Sequence, residues 1–353
     1  MDVEYSWRNC PLAHLNGLYC VYKLTRESSP GILSGQATRS TLRKTNMING
    51  FESSVELAES ITWAASKQTY YTIRYLVDRD RVPDAYRTYA YFRWVDDRID
   101  QPQSELAERS ALVERQWALM ECLYRGQLPL DLTAEECMLA DLVHSDREMN
   151  SGLQTYIRNM MTVMVFDTYR RGRLISQKEL NEYTRWLATA VTEAMHYFIG
   201  HCCASPHNET RYLAVSAAHI VHMLRDALDD TKSGYINVPR EFLEAHGITA
   251  RDVHSDAYRM WVKSRVELAR HYFKIGANYL SQVQNPRCRF AGYAYTARFT
   301  QVLDAIEKND FRLQENYSEF RRPATALRMG WTVLGLAFNS PRPEIVARTR
   351  SEA

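Results

Sequence analysis

The stretch that decides the fold is YAYFRWVDDRID, which occupies residues 89–100. Its apolar and aromatic residues recur at the three- and four-residue spacing that is typical of a helix. Residues four apart share a helix face, so Asp96 and Asp100 lie side by side, and Arg93 stands one turn before Asp96. The pattern predicts a largely buried helix that presents two carboxylates and one cation.

A second stretch repeats this arrangement further along the chain, where residues 222–230 read HMLRDALDD. Asp226 and Asp230 share a helix face, Asp229 lies on the same stripe, and Arg225 directly precedes Asp226. We therefore predict a second helix with its own carboxylates and cation. Residues 96–100 are called the first aspartate motif below, and residues 226–230 the second.

Carboxylates this close together among apolar residues need cations, because they repel one another and lose hydration. Carboxylate oxygens are hard donors that suit Mg²⁺, and the carboxylates of one helix fill only part of its coordination shell. The remaining positions stay open for water and phosphate oxygens. Arg93, Arg225 and Lys232 add fixed cations suited to phosphate. Two such motifs facing each other predict a diphosphate site. The alternative is that both are solvated acidic faces with ordinary surface salt bridges.

The composition is that of a globular protein with room for a large core. The chain has 353 residues, 45% hydrophobic and 24% charged, with a formal net charge of +2. The only strongly basic run, residues 170–173, is either a solvated loop or a phosphate contact, so we expect no nucleic-acid partner. Seven cysteines without CxxC spacing favour free thiols in a reducing cytoplasm. We expect no membrane anchor.

Helical periodicity extends over most of the chain, and strands have almost no room. Breaks are predicted at Val82-Pro83, Gln101-Pro102, residues 127–132, Arg171-Gly172, Ser205-Pro206, residues 233–239, Asn285-Pro286 and Arg322-Pro323. They leave about ten helices of ordinary to long length. We predict an all-α, single-domain helical bundle over residues 51–339, preceded by an irregular N-terminal extension (1–50) and followed by a polar tail (340–353).

These segments resemble the squalene/phytoene synthase family of trans-isoprenyl diphosphate synthases. The first stretch resembles the family's first aspartate-rich segment, and the second, followed by Gly234 and Val238-Pro239, resembles the other. Weaker similarities follow in the family's order at residues 179–183 (ELNEY) and 302–311 (VLDAIEKNDF). The resemblance covers roughly residues 60 to 313 and is far more specific than one aspartate pair alone.

The resemblance implies an isoprenoid synthase-type bundle around a central apolar cavity, and it assigns roles to particular residues. It implies metal binding by Asp96, Asp100, Asp226, Asp229 and Asp230, substrate binding by Lys67, Arg93 and Arg225, and catalytic roles for Tyr89, Tyr183, Arg93 and Arg225. To the substrate-binding residues we add two from the sequence itself, Lys232 for its charge beside the second motif and His222 for its place one turn before Asp226. Each assignment has a structural alternative. Lys67 could be a surface charge, the two tyrosines could only pack, and His222 could be a satisfied core histidine.

The implied reaction joins two farnesyl or two geranylgeranyl diphosphates head to head through a cyclopropyl diphosphate, with two or three Mg²⁺ ions and release of diphosphate. The sequence does not decide whether NADPH is consumed, as in squalene formation, or a proton is lost, as in phytoene or dehydrosqualene formation. We expect prenyl diphosphates as partners and a cytoplasmic location that permits peripheral contact with a membrane. The oligomeric state stays open.

The chain departs from the family pattern at a few positions. His219 and His222 stand where the family often has Gln and Asn, Tyr235 where it has Arg, and Glu193 where it has Gly. These departures leave the carboxylates intact and leave the product open. One alternative is therefore a class I terpene cyclase acting on a single prenyl diphosphate. Another is a non-catalytic assembly factor of the same fold, whose usual mark, eroded aspartates, is missing here.

Overall fold

The structure, a computed structural model, describes residues 54–315 and residue 317. This part of the chain is helical and contains no strand, which confirms the predicted all-α class. The predicted extension (1–50), the break at Arg322-Pro323 and the polar tail (340–353) lie outside the described residues. None of the described helices is long and apolar enough to cross a membrane.

Helices follow one another with short connections. In chain order they are α1 (54–65), α2 (Lys67–Leu76), α3 (Val82–Ile99), α4 (Leu106–Tyr124), α5 (Ala134–Ser145), α6 (Gly152–Arg170), α7 (Gln177–Phe198), α8 (Leu213–Lys232), α9 (Arg240–His246), α10 (Asp256–Gln282) and α11 (Pro286–Lys308). Short 3₁₀ helices precede α3 (Arg79–Arg81) and α8 (Glu209–Tyr212).

The helix ends follow the local sequence. Pro83 lies in the first turn of α3, where its missing N–H leaves no bond unmade. Asn285 caps α11 by accepting from two backbone N–H groups. The loop between α5 and α6 was not predicted, because it contains neither Pro nor Gly. It turns at Asn150, whose φ is 55°, and Ser151 then caps α6.

The helices that carry the predicted site residues pack together at the centre. α6 packs along α7, α8 packs along α10, α7 contacts α8, and α3 contacts α6. Gly276 of α10 allows a close approach to α8, since a Cβ atom there would lie only 2.7 Å from the backbone nitrogen of Ala214. The two aspartate motifs are therefore carried by helices of one core.

Two loops lie side by side next to the ends of α6 and α8. The N–H of Gly172 donates to the carbonyl of Gly234 at 2.7 Å. Gly172 has a φ of 79° and Gly234 a φ of 90°, a region that residues with a Cβ atom rarely adopt. This hydrogen bond joins the loop after α6 to the loop after α8, beside the second aspartate motif.

Candidate active site

The first aspartate motif lies at the C-terminal end of α3. Asp96 occupies the last turn, and Asp100 caps the helix by donating its N–H to the Asp96 carbonyl. Burial, together with the charges of Asp100 and Asp167, raises the pKa of Asp96 to about 7. The Tyr235 hydroxyl donates to Asp100 Oδ1 at 2.7 Å. This motif is therefore a site where a cation would relieve repulsion between carboxylates.

The second motif lies in the last turns of α8. Arg225 Nε donates to Asp226 Oδ1 and its Nη2 to Oδ2, both at 2.6 Å. His222 Nε2 lies 2.8 Å from Asp226 Oδ2. Although burial opposes it, these contacts hold the pKa of Asp226 below its usual value. Burial and the Asp226 charge instead raise the pKa of Asp230 to about 6.

Three side chains that the sequence reasoning missed connect the second motif to α6. Arg170 Nε donates to Asp167 Oδ1 at 2.5 Å, and its Nη1 donates to Asn237 Oδ1 at 2.8 Å. The Asn237 amide in turn donates to Asp230 Oδ2 at 2.9 Å. Arg170 and Asn237 are both buried. A buried cation thus sits between a carboxylate of α6 and the second motif.

Tyr235 completes the connection to the first motif. Its ring centroid lies 4.9 Å from the Arg170 guanidinium carbon, and its hydroxyl reaches Asp100. Contacts therefore run without interruption from Asp100 through Tyr235 and Arg170 to Asn237 and Asp230. We call these five residues the bridging network. The two aspartate motifs face one another across it and do not lie on separate outer surfaces.

The two predicted tyrosines occupy different positions. The Tyr183 hydroxyl donates to Asp167 Oδ2 at 3.0 Å, and its ring centroid lies 4.8 Å from the Arg170 guanidinium carbon. Tyr183 thus borders the bridging network. Tyr89 is half-buried on α3, and burial raises its pKa against the opposing effects of the Arg93 charge and a hydrogen bond from Ser66. Tyr89 lies on the Arg93 side of the first motif.

The remaining predicted cations and Asp229 lie further out. Lys67 is exposed, with its Nζ 3.1 Å from the ring centroid of Trp63. Lys232 contacts Asp229 Oδ1 at 3.2 Å, and the Asp229 side chain is 70% exposed. Within the described residues, none of these three contacts the bridging network. Arg93 pairs with Asp97 and lies 3.6 Å from Asp96 Oδ2.

The two histidines that depart from the family pattern behave differently. His222 is not a core histidine, since its side chain is 54% exposed and contacts Asp226. His219 is buried, and its Nε2 has no hydrogen-bond partner in the described part of the chain. Burial lowers the pKa of His219 to about 3, which keeps the ring neutral. The ring packs edge-on against Tyr183, with centroids 5.0 Å apart.

Glu193 is buried in α7 and points at Arg211 rather than at the bridging network. Arg211 Nε donates to Glu193 Oε1 at 2.8 Å and Nη2 to Oε2 at 2.9 Å. The Tyr212 hydroxyl also donates to Oε1 at 2.9 Å. Glu193 therefore fastens the end of α7 to the 3₁₀ turn before α8. α7 runs through this position without a break, from Gln177 to Phe198.

A small cavity of about 20 Å³ lies beside this pair, between α7, α8, α10 and α11. Its lining is mostly apolar or aromatic and includes Met195, Val215, Leu280 and Tyr295. It lies on the same two helices as Tyr183 and Asp226 but nearer their opposite ends.

The donor chemistry fits Mg²⁺, since carboxylate oxygens are its preferred ligands and two of the carboxyl groups have raised pKa values. Across residues 54–315 and 317, however, no group of three or more His, Cys, Asp or Glu side chains lies close enough together to hold one ion. Tyr235 binds Asp100, Arg225 binds Asp226, and Asn237 binds Asp230. Three of these carboxylates could share one ion only after their side chains had moved closer together.

Comparison with known proteins supports the resemblance. A family model described as squalene/phytoene synthase matches residues 63–328. The chain is 25% identical over 255 residues to the chloroplastic phytoene synthase of Oncidium hybrid cultivar, covering 69% of this chain and 59% of the relative. It is 26% identical over 254 residues to that of Cucumis melo, covering 69% and 58%. The chain thus spans about six-tenths of the length of these relatives.

Solved structures share the fold. The squalene synthase HpnC from Alicyclobacillus acidocaldarius superposes with a TM-score of 0.61 at 20% identity, covering 75% of this chain and all of that one. A dehydrosqualene synthase solved in complex with a ligand gives a TM-score of 0.63 at 15% identity, covering 82% and 98%. The fold is therefore that of the isoprenoid synthases. With a family model that matches most of its length, this chain belongs to the squalene/phytoene synthase family.

Proposed function

We propose that this protein is a prenyltransferase that condenses two farnesyl or two geranylgeranyl diphosphates head to head, through a cyclopropyl diphosphate and with release of diphosphate. The observation that carries the proposal is the bridging network, because it brings both aspartate motifs to one site. Two separate acidic surfaces could not act on one diphosphate. A shared site between two helices can bind the leaving group from both sides.

Each part of the site has a chemical task in this proposal. Asp96, Asp100, Asp226 and Asp230 would hold Mg²⁺, which when bound supplies Lewis-acid stabilisation of the departing diphosphate. Arg225 and Arg93 lie beside the carboxylates and can donate to phosphate oxygens once those carboxylates bind metal. Asp229, Lys232 and Lys67 would join from the periphery after movement of their side chains. His222, at the surface of α8, would contact the same phosphate oxygens.

The reaction also needs protection from water, because an allylic carbocation reacts with any water that reaches it. Tyr183 is buried beside Arg170 of the bridging network and His219 is buried against Tyr183, and their aromatic faces can stabilise a cation. The neutral state of His219 suits this position, since a charged ring would repel a carbocation. Tyr89 would act at the first motif.

Product analysis tests the proposal. The purified protein would be incubated with farnesyl diphosphate and with geranylgeranyl diphosphate separately, each with Mg²⁺ and with or without NADPH, followed by mass spectrometry. We expect a doubled carbon skeleton, and a reduced product only if NADPH is a cosubstrate. A cyclic product of unchanged carbon number would contradict the proposal and indicate a terpene cyclase. Absence of diphosphate release from either substrate would indicate a non-catalytic protein.

The location and the domain limits are also proposals. We propose a cytoplasmic protein that contacts a membrane only peripherally, which cell fractionation with a salt wash would test. We propose that residues 51–339 form the catalytic domain, with residues 1–50 and 340–353 dispensable for folding. Limited proteolysis followed by mass spectrometry of the resistant core would test those limits.

A further inference from the structure

Arg171 joins the two aspartate motifs at the edge of the site. It directly follows α6, and its Nε donates to the carbonyl of Ser233 at 3.2 Å. Its Nη1 donates to the carbonyl of Gln101 at 3.2 Å. Gln101 directly follows the first motif, and Ser233 lies just after the second. One guanidinium group therefore bridges the two chain segments that leave the motifs.

Arg171 differs from the other cations of the site in its charge balance. Four others each contact a carboxylate, in the pairs Arg93–Asp97, Arg170–Asp167, Arg225–Asp226 and Lys232–Asp229. Arg171 has no carboxylate partner within the described residues and contacts only carbonyls and a ring. Its positive charge is therefore not neutralised by a neighbouring side chain. A guanidinium carries five N–H donors, so donors remain for a ligand.

Tyr235 keeps the Arg171 guanidinium in place. The Tyr235 ring centroid lies 6.0 Å from the guanidinium carbon of Arg171, and the ring is fixed in turn by its hydroxyl bond to Asp100. A tyrosine in this position supplies no positive charge to a phosphate. It does supply a flat face beside which an arginine from α6 can lie. In the family pattern an Arg in the loop after α8 supplies the positive charge, whereas here Arg171 in the loop after α6 supplies it.

We propose that Arg171 is a substrate-positioning residue that binds the diphosphate group at the edge of the site, oriented by the carbonyls of Gln101 and Ser233 and by the Tyr235 ring. The inference rests on the proposed function in one respect, namely that the ligand is a diphosphate. A guanidinium group is planar and permanently charged, so it can donate parallel hydrogen bonds to the negatively charged oxygens of a diphosphate. A purely structural bridge between two loops is the alternative that a test must separate.

The test measures binding of inorganic diphosphate in the presence of Mg²⁺ by calorimetry, using full-length protein. Arg171→Gln should weaken binding by about tenfold or more, as expected for loss of charged hydrogen bonds. Arg171→Lys should lose less binding than Arg171→Gln, because it keeps the positive charge but not the planar fork of donors. Arg173→Gln is the matched control, since Arg173 lies in the same loop and pairs with Glu179 Oε1 at 2.7 Å. It should bind like wild type.

Several results would overturn the inference. Binding by Arg171→Gln like wild type, an equal loss in Arg171→Lys, or an equal loss in Arg173→Gln would each contradict it. Equal loss with a lowered melting temperature in both Arg171 variants would identify a structural bridge. Because no turnover is needed, this outcome is independent of the proposed function. A protein that shows the expected binding pattern but makes no condensed product would refute the proposed function alone.

Discussion

Replacement of Glu193 by alanine tests what this departure from the family pattern does. The Glu193 and Arg211 side chains are only 11% and 6% exposed, and Glu193 accepts three hydrogen bonds from Arg211 and Tyr212. Removing one partner of a buried ion pair leaves an uncompensated charge, which costs about 3–5 kcal/mol. We expect Glu193→Ala to lower the free energy of unfolding by about that amount.

Urea unfolding followed by circular dichroism measures this loss. The matched control is Glu244→Ala, because Glu244 pairs with Arg240 only at the surface, at 4.0 Å with a 68% exposed side chain. Such pairs contribute about 0–1 kcal/mol, so the control should unfold nearly like wild type. Replacing both partners, with Glu193→Leu and Arg211→Met, should recover much of the loss, because apolar residues of similar volume often substitute for a buried ion pair.

The same variant distinguishes a structural from a catalytic role. If Glu193 fastens α7 to α8, the folded fraction of Glu193→Ala should keep the wild-type product and the activity per folded molecule. If Glu193 borders the reaction cavity, the product should change while the unfolding curve scarcely moves. An unfolding free energy within about 1 kcal/mol of wild type would refute the reasoning, since that is the range of surface ion pairs.

The remaining predictions concern the candidate site. Asp96→Asn and Asp226→Asn should each abolish most Mg²⁺-dependent diphosphate release while leaving the circular dichroism spectrum unchanged, and wild-type turnover in either would exclude a metal-binding role. Tyr183→Phe should cost about 1.5–3 kcal/mol of unfolding free energy, because Asp167 loses a hydrogen bond in a buried setting; an unchanged urea midpoint would contradict this. Below pH 6.5 His219 takes up a proton in the unfolded chain but stays neutral in the folded protein, whose pKa for this group is about 3. The free energy of unfolding should therefore fall by about 1.4 kcal/mol per pH unit between those two values as the pH is lowered. His219→Gln should therefore lose less stability than wild type between pH 6 and pH 4, and parallel profiles would show that the histidine is not buried neutral.

Much of the fold could be predicted because helix periodicity and helix breakers act locally. Pro83 and Pro286 mark helix starts through a property of a single residue, and the structure places both in first turns. The loop between α5 and α6 escaped prediction because it depends on one Asn in the left-handed region and one Ser cap. Both residue types also occur within helices, so neither is a decisive signal.

The candidate site was less predictable, since it depends on contacts between distant segments. Periodicity placed the aspartates on helix faces, but it carried no information on the partners of Asp100 and Asp230. Tyr235 and Asn237 reach them from a loop, and Arg170 of another helix contacts those two side chains. The basic run at residues 170–173 was the available signal for Arg170. The role of that run depends on the contact between the loops after α6 and α8, which local sequence does not encode.

The buried attachment at Arg211 makes the base of α8 a fixed point. Arg211 and Tyr212 hold it to α7, whereas Asp226 lies about 20 Å away along the helix axis at 1.5 Å per residue. A rotation of only about 3° around that point would shift Asp226 by about 1 Å. The buried pair at the start of α8 and the hydrogen bonds of the loop at its other end together therefore fix the direction of the helix, and with it the place of Asp226 relative to the first aspartate motif.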